Sequence, residues 1–549
     1  MKHLLLALAG SSLLVACGSD NPAPADAAPS NLDASTDAPA DVSVDAAPTP
    51  VMARTVAGPV MGVDRGGVKV FRRIPFAAPP VGPLRFAPPA PVTPWTAPLD
   101  GTVAGSECAQ GGSLLGGGGA SGTEDCLHVN VTTRGLTGSR PVMVWIHGGG
   151  FATGSGSEAT YEATRLVTEA DVVVVTINYR LGVFGFLSHP SLGASTATSG
   201  NWGFLDQQAA LRWVRDNAAN FGGDPARVTI FGESAGGTSV ALHAVAPGSR
   251  GLFARAIVES GPCPQLPSRA RADAIGDMAA RAVGCTAGDV AACLRAAPVA
   301  ALETAVTGTN EPGGIFYQTR GFVYLPTFDG VTFTEQPLNT FRAGRGSDAP
   351  MIMGTNTDEG TLFTGGLLGP AVTTDAEYRA ALVRGGINFG FNAAQAAMIA
   401  DRYPASRYDS PADALTAVTT DGLFACSTRY VARLQQAAGH PVRLYRFDQE
   451  PGHVGIPGLG VFHASELSFV WGNGSRLLGD DSSAPALGVA MRGYWTRFAA
   501  TADPGGTPAW PAWSPSADLR LRLAATIATE PGDADNRCAF WAGIYDSLM

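Results

Sequence analysis

Val228-Thr-Ile-Phe-Gly-Glu-Ser-Ala-Gly-Gly237 is a β-branched, apolar run that breaks at glycine, presents Ser234 and continues into Thr238-Ser-Val-Ala-Leu-His243. The pattern predicts a strand, a sharp turn and a helix. A turn this tight leaves no room for Cβ atoms two residues to either side of the serine, and Gly232 and Gly236 stand at those positions. The geometry lifts the Ser234 hydroxyl to a helix N-terminus, where N–H groups and the helix dipole favour developing negative charge. Taken alone the motif is weak, because a chain of 549 residues with 69 glycines can carry G-x-S-x-G by chance. A nucleophile also needs a base and oxyanion donors, so the rest of the chain decides.

Around this stretch lie other strand-like runs: Pro141–Ile146, Val172–Ile177, Ala254–Val258, Pro350–Gly354 and Val442–Phe447. Several are apolar throughout, as strands covered on both faces are. Helical patterns, such as Leu205–Val214 and Ala486–Trp495, alternate with them. The alternation predicts an α/β fold, a mainly parallel central sheet flanked by helices, with ligands at the carboxyl ends of its strands. No linker, low-complexity stretch or internal repeat divides residues 51–549, which read as one large domain.

Upstream, Trp145-Ile-His-Gly-Gly-Gly-Phe-Ala-Thr-Gly154 follows a strand-like run, and its consecutive glycines let backbone N–H groups face a reacting carbonyl at close range. The chain also uses glycine freely at 116–119, but only Gly148, Gly149 and Gly150 end a long apolar run. In a site of this order the acid follows the serine and the histidine comes last. Met351-Ile-Met-Gly-Thr-Asn-Thr-Asp-Glu-Gly360 ends a strand-like run with a paired acid, offering Asp358 or Glu359. Three histidines follow it: His440 in a turn, His453 in a Pro/Gly loop, and His463, which opens an apolar helix-like stretch. No His/Cys/Asp cluster has metal-ligand spacing, and neither a metal nor a cofactor is expected.

Residues 1–17 carry Lys2 and His3, a short apolar core from Leu4 to Leu14, and a small-residue end, Leu14-Val-Ala-Cys17. This is a signal peptide, too short to span a membrane as a mature helix. Its end resembles a bacterial lipobox, which makes Cys17 the expected lipidation site and an N-terminal lipid anchor the only expected membrane contact. Gly18 after the cysteine favours the outer membrane, so the expected location is the bacterial cell envelope, as an outer-membrane lipoprotein. Residues 18–50 are almost only Ala, Pro, Asp, Ser, Thr and Asn and form no core; they read as a disordered acidic tether. Lys2 against six aspartates in residues 1–50 accounts for half of the formal charge of −10. The mildly acidic remainder gives no reason to expect nucleic-acid binding.

Eight cysteines in an exported chain invite pairing. Cys108 and Cys126 bracket a Gly-rich loop, and Cys285 and Cys293 enclose a short helix-like segment, so both are candidate local bridges. Cys426 and Cys538 would then clamp the C-terminal tail, leaving Cys263 as an expected buried free thiol.

Taken together, these stretches resemble the type-B carboxylesterase/lipase family, the cholinesterase-like branch of the α/β-hydrolases. The resemblance extends to Pro79-Pro-Val-Gly-Pro-Leu-Arg-Phe86, Glu124-Asp-Cys-Leu127, Asn178-Tyr-Arg-Leu-Gly-Val-Phe-Gly-Phe186 and Gly200-Asn-Trp-Gly-Phe-Leu-Asp-Gln207. It continues through Phe221-Gly-Gly-Asp-Pro225, Asp421 with Phe424 and Cys426, and Tyr494-Trp-Thr-Arg-Phe-Ala499. Position by position it implies Ser234 as nucleophile, Glu359 as acid and His463 as base, with Gly149, Gly150 and Ala235 donating to the oxyanion. It also implies the bridges Cys108–Cys126, Cys285–Cys293 and Cys426–Cys538, and the structural ion pairs Arg85–Glu124 and Arg180–Asp206. Glu233 is expected near His463 or packed in the turn.

The implied activity is hydrolysis of a small-molecule carboxylic ester through an acyl-enzyme. The loop from Ala109 to Asp125 has no aromatic residue to attract a quaternary ammonium, so choline specificity is not expected. Phe322 is a candidate for the acyl pocket or for core packing, and residues 361–400 for the pocket rim. Lipase action or hydrolysis of bulky natural esters is the alternative within enzymes. A non-catalytic adhesion module is the alternative outside them, although such modules usually lack triad members. Nothing in the sequence sets the oligomeric state.

Overall fold

The computed structural model describes residues 47–111, 121–193, 198–261, 265–306, 323–364, 372–383, 391–533 and 536–547. The signal peptide with Cys17, most of the tether, the 116–119 glycines, Cys263, Phe322 and parts of the expected rim lie outside them. Thirteen described strands form one sheet. They are β1 (Thr49–Arg54), β2 (Pro59–Arg65), β3 (Val68–Pro75), β4 (Leu99–Asp100), β5 (His128–Thr133), β6 (Arg140–Ile146), β7 (Val173–Ile177), β8 (Gly223–Glu233), β9 (Arg255–Glu259), β10 (Met351–Asn356), β11 (Val442–Phe447), β12 (Leu519–Leu523) and β13 (Ala528–Pro531).

The order is β1-β2-β3-β5-β7-β6-β8-β9-β10-β11-β12-β13, with β4 paired beside β2. From β7 to β12 every neighbouring pair is parallel. The antiparallel pairs lie at the two ends, β1-β2-β3-β5-β7 and β12-β13. All the strand-like runs read from sequence lie in the parallel part, and the reason is visible along β6. Val142, Val144 and Ile146 point into one buried cluster, and Met143 and Trp145 into another on the opposite face. With apolar side chains needed on both faces, the run cannot alternate with polar residues.

Helix Trp202–Asn217 contributes Trp202, Phe204, Leu211 and Val214 to the first cluster, while helix Pro485–Thr501 contributes Leu487, Met491, Trp495 and Phe498 to the second. The sheet is thus sandwiched between helical layers. The first strand starts at Thr49, two residues before the expected domain boundary. Among the described residues no helix is long and apolar enough to cross a membrane.

Three disulfides join Cys108 to Cys126, Cys285 to Cys293 and Cys426 to Cys538. The second encloses the first turn of a helix, since helix Val290–Ala296 begins between the two cysteines and contains Cys293. Both expected ion pairs are present. Arg180 Nε and Nη2 each donate to a different oxygen of Asp206 at 2.7 Å, fully buried, and Arg85 grips Glu124 with two nitrogens while donating to the Ala297 carbonyl.

Candidate active site

β8 ends at Glu233, and helix Ala235–His243 begins one residue after Ser234. Ser234 adopts φ 57°, ψ −120°, a conformation costly for a residue with a Cβ and held here because the surrounding turn over-determines it. Its N–H donates to the Glu259 carbonyl at 3.0 Å, tying the turn to the end of β9. The need for glycine on either side is steric. A Cβ on Gly232 would stand 2.5 Å from the Ile146 carbonyl oxygen, and one on Gly236 only 1.9 Å from it. Ser234 stays partly exposed while the residues on both sides of it are buried.

The Gly148–Gly150 loop leaves the end of β6, the neighbouring strand, and passes over this turn: a Cβ on Gly148 would lie 3.3 Å from that of Ser234. Gly149 and Gly150 have φ +99° and +64°, and a Cβ on Gly149 would strike the Thr153 carbonyl at 2.2 Å. The loop is pinned from behind. Ala152 and Thr153 donate to the Gly149 carbonyl, Gly182 to that of Phe151, and the Gln110 side chain pairs with both backbone groups of Gly154. Tyr179 donates to the His147 carbonyl at 2.9 Å and stacks on the His147 ring, whose burial pushes its pKa down to about 4 and keeps it neutral. Among the described residues the N–H groups of Gly149, Gly150 and Ala235 donate to no acceptor.

Of the paired acids at the end of β10, the structure separates the roles. Asp358 turns to the histidine loop, where its carboxylate accepts from the Val461 N–H at 2.9 Å. Glu359, fully buried, lies 2.6 Å from His463 Nδ1 through Oε2, while its Oε1 accepts from Ser260 Oγ at 2.5 Å and the Asn356 N–H at 2.8 Å. Of the three histidines, His440 pairs with Gln435 and exposed His453 with Asp480; only His463 meets the acid. It sits in a turn four residues ahead of helix Leu467–Trp471, rather than opening the helix, and packs against the stacked rings of Phe363 and Phe424 at centroid distances of 4.9 and 4.7 Å.

His463 Nε2 lies 3.0 Å from Glu233 Oε1 without hydrogen-bond alignment, so both atoms remain unpartnered. Burial, reinforced by Glu466, Glu359 and Glu259, raises the Glu233 pKa well above its ordinary carboxylate value. Glu259 is raised for the same first reason and then by Glu466; its Oε1 accepts from Trp495 Nε1 at 2.8 Å. Glu466 is pushed up to about 8 by burial and then by Glu359. Ser260, Asn356 and Glu466 escaped the sequence reading. Ser260 has φ 47° at the end of β9, and neither a lone serine there nor an asparagine inside a strand run signals contact with a residue a hundred positions away. The arrangement can deprotonate a serine hydroxyl and stabilise an oxyanion beside it.

A model of the carboxylesterase family matches residues 49–541. The chain is 36% identical over 493 residues to the para-nitrobenzyl esterase of Bacillus subtilis (strain 168), covering 86% of this chain and 94% of that protein. It is 36% identical over 479 residues to an acylcarnitine hydrolase of Mus musculus, covering 81% and 82%. A solved structure of a PNB esterase superposes with a TM-score of 0.77 at 34% identity, over 89% of this chain and 99% of that one.

Proposed function

Because the chain belongs to the carboxylesterase family and is a carboxylic ester hydrolase, we propose that it cleaves neutral esters through an acyl-enzyme on Ser234, with His463 as base and Glu359 as acid. The observation that carries this reading is the bond from His463 Nδ1 to buried Glu359, with His463 Nε2 left unpartnered 3.0 Å from the side chain of Glu233, the residue before Ser234. His463 Nε2 takes the Ser234 proton as the oxygen attacks the ester carbonyl, and Glu359 stabilises the imidazolium that forms. Gly149, Gly150 and Ala235 donate to the tetrahedral oxyanion. The alcohol leaves with the proton from His463. Water then attacks the acyl group by the same route, returning the proton to Ser234 and releasing the acid.

A small fluorophosphonate tests the nucleophile: it should add to the peptide containing Ser234 in the wild type and nowhere in Ser234→Ala. Hydrolysis rates from two-carbon to long-chain esters, with and without an oil–water interface, separate esterase from lipase action; the proposal expects a short-chain optimum and no interfacial gain. We also propose that Cys17 carries a lipid anchor in the cell envelope, so that Cys17→Ser should move activity from the membrane to the soluble fraction.

A further inference from the structure

Asn356 closes β10 three residues before Glu359, is 1% exposed, and touches both partners of the acid–base pair's support. Its backbone N–H donates to Glu359 Oε1 at 2.8 Å. Its side-chain Nδ2 donates to the Phe462 carbonyl at 2.8 Å, the residue just before His463, and to Glu466 Oε2 at 2.5 Å, three residues after it. The orientation of the amide follows from its partners, since a peptide carbonyl can only accept and so must face the NH₂ group. One side chain thus crosses from the acid strand to both sides of the histidine turn. On the same turn Asp358 holds Val461 twice, its N–H donating to the Val461 carbonyl at 2.9 Å and its carboxylate accepting from the Val461 N–H at 2.9 Å.

The Asp358 bonds stop at Val461, two residues before His463, whereas the Asn356 amide reaches Phe462 and, past the histidine, Glu466. Ser465 Oγ lies 3.5 Å from Nδ2, at the edge of hydrogen bonding, and the rings of Phe363 and Phe424 restrain His463 only by packing. The positive φ of Ala464, 72°, places a backbone strain inside the very turn that Asn356 brackets, so the turn needs outside contacts to hold its shape.

We infer that Asn356 is a positioning residue of the ester-hydrolysis site, its amide setting the distance and angle between His463 and Glu359. The inference rests on the proposed roles of those two residues. Removing the amide to make Asn356→Ala leaves the Phe462 carbonyl with only the Ser465 N–H from within the turn, removes the amide from the Glu466 carboxyl, and lets the histidine turn drift from the acid. Misplacement on the order of 1 Å costs about 100-fold in rate. The loss should fall on kcat, because the amide is buried behind the base and does not face substrate.

The test compares purified wild type, Asn356→Ala, Asn356→Ser and Ser234→Ala on an activated short-chain aryl ester, with thermal midpoints and the rate of inactivation by a small fluorophosphonate. The expected result is a fall in kcat of about 10- to 100-fold for Asn356→Ala with KM within about twofold. Inactivation should slow in step, since phosphonylation of Ser234 draws on the same base. Asn356→Ser, which keeps a shorter donor, should be intermediate and keeps the test open should the alanine variant not fold. Both Asn356 variants at wild-type kcat, or a loss confined to KM, would overturn the inference. An active Ser234→Ala would instead overturn the underlying assignment, so the two failures are distinguishable.

Discussion

Replacing Glu359 by glutamine probes the acid without altering its shape. Glu359 Oε1 receives two donors, Ser260 Oγ at 2.5 Å and the Asn356 N–H at 2.8 Å, and Oε2 receives His463 Nδ1 at 2.6 Å. In Glu359→Gln the amide oxygen must stay with the two donors, since an NH₂ group facing them would leave three buried donors in conflict. The NH₂ then points at His463 Nδ1 and forces that nitrogen to accept. The ring proton moves to Nε2, the nitrogen that has to take the proton from Ser234, and the imidazolium loses its compensating charge. Together these effects should lower kcat by about 10³- to 10⁴-fold, or about 4–5 kcal/mol of transition-state stabilisation. KM should change little, because Glu359 is fully buried and does not touch substrate. Steady-state hydrolysis of an activated aryl ester from neutral to alkaline pH measures the loss, and an unchanged thermal midpoint shows that the fold survived. A variant within about tenfold of wild type would refute the reasoning, since one decade is only about 1.4 kcal/mol.

Gly236→Ala places a Cβ 1.9 Å from the Ile146 carbonyl, so the turn must move by on the order of 1 Å; kcat should fall by about 100-fold or more and the thermal midpoint should drop. Asp206→Ala leaves the Arg180 guanidinium buried without its partner, and denaturant titration should show a loss of about 3–5 kcal/mol. His243 lies buried between Ser249 and Gln207, and burial pushes its pKa down to about 3, below the unfolded value of 6.5. Below pH 6.5 the unfolded chain therefore binds a proton that the folded chain refuses, and this contribution to stability is lost as pH falls. The stability of wild type relative to His243→Gln should thus decline by about 1.4 kcal/mol per pH unit from 6.5 toward 3, read from chemical unfolding at several pH values.

The parallel half of the sheet was legible because burial on both faces demands unbroken apolar runs such as Val142–Ile146 and Val173–Ile177. The outer strands were not, because their pattern answers to other needs. β12 reads Leu-Arg-Leu-Arg-Leu, and its Arg520 is matched by Glu530 on β13 rather than by water alone. β1 is exposed along most of its length and pairs on one side only. At the site, the motif-bearing residues were legible through local spacing and family resemblance. The choice between Asp358 and Glu359 was open on the residues alone, because two adjacent acids differ only in which way the end of β10 turns them. Ser260, Asn356 and Glu466 were invisible for a related reason: each acts through a contact made across the fold, and nothing in its own neighbourhood of sequence records the partner.

The central claim is that Ser234 carries the acyl group. Turnover of an activated short-chain ester by Ser234→Ala, measured beside wild type of equal purity and equal thermal midpoint, tests it most directly. The account predicts a fall of at least about 10⁴-fold, leaving only what the oxyanion donors and substrate binding supply. Retention of a tenth or more of the wild-type rate would contradict it.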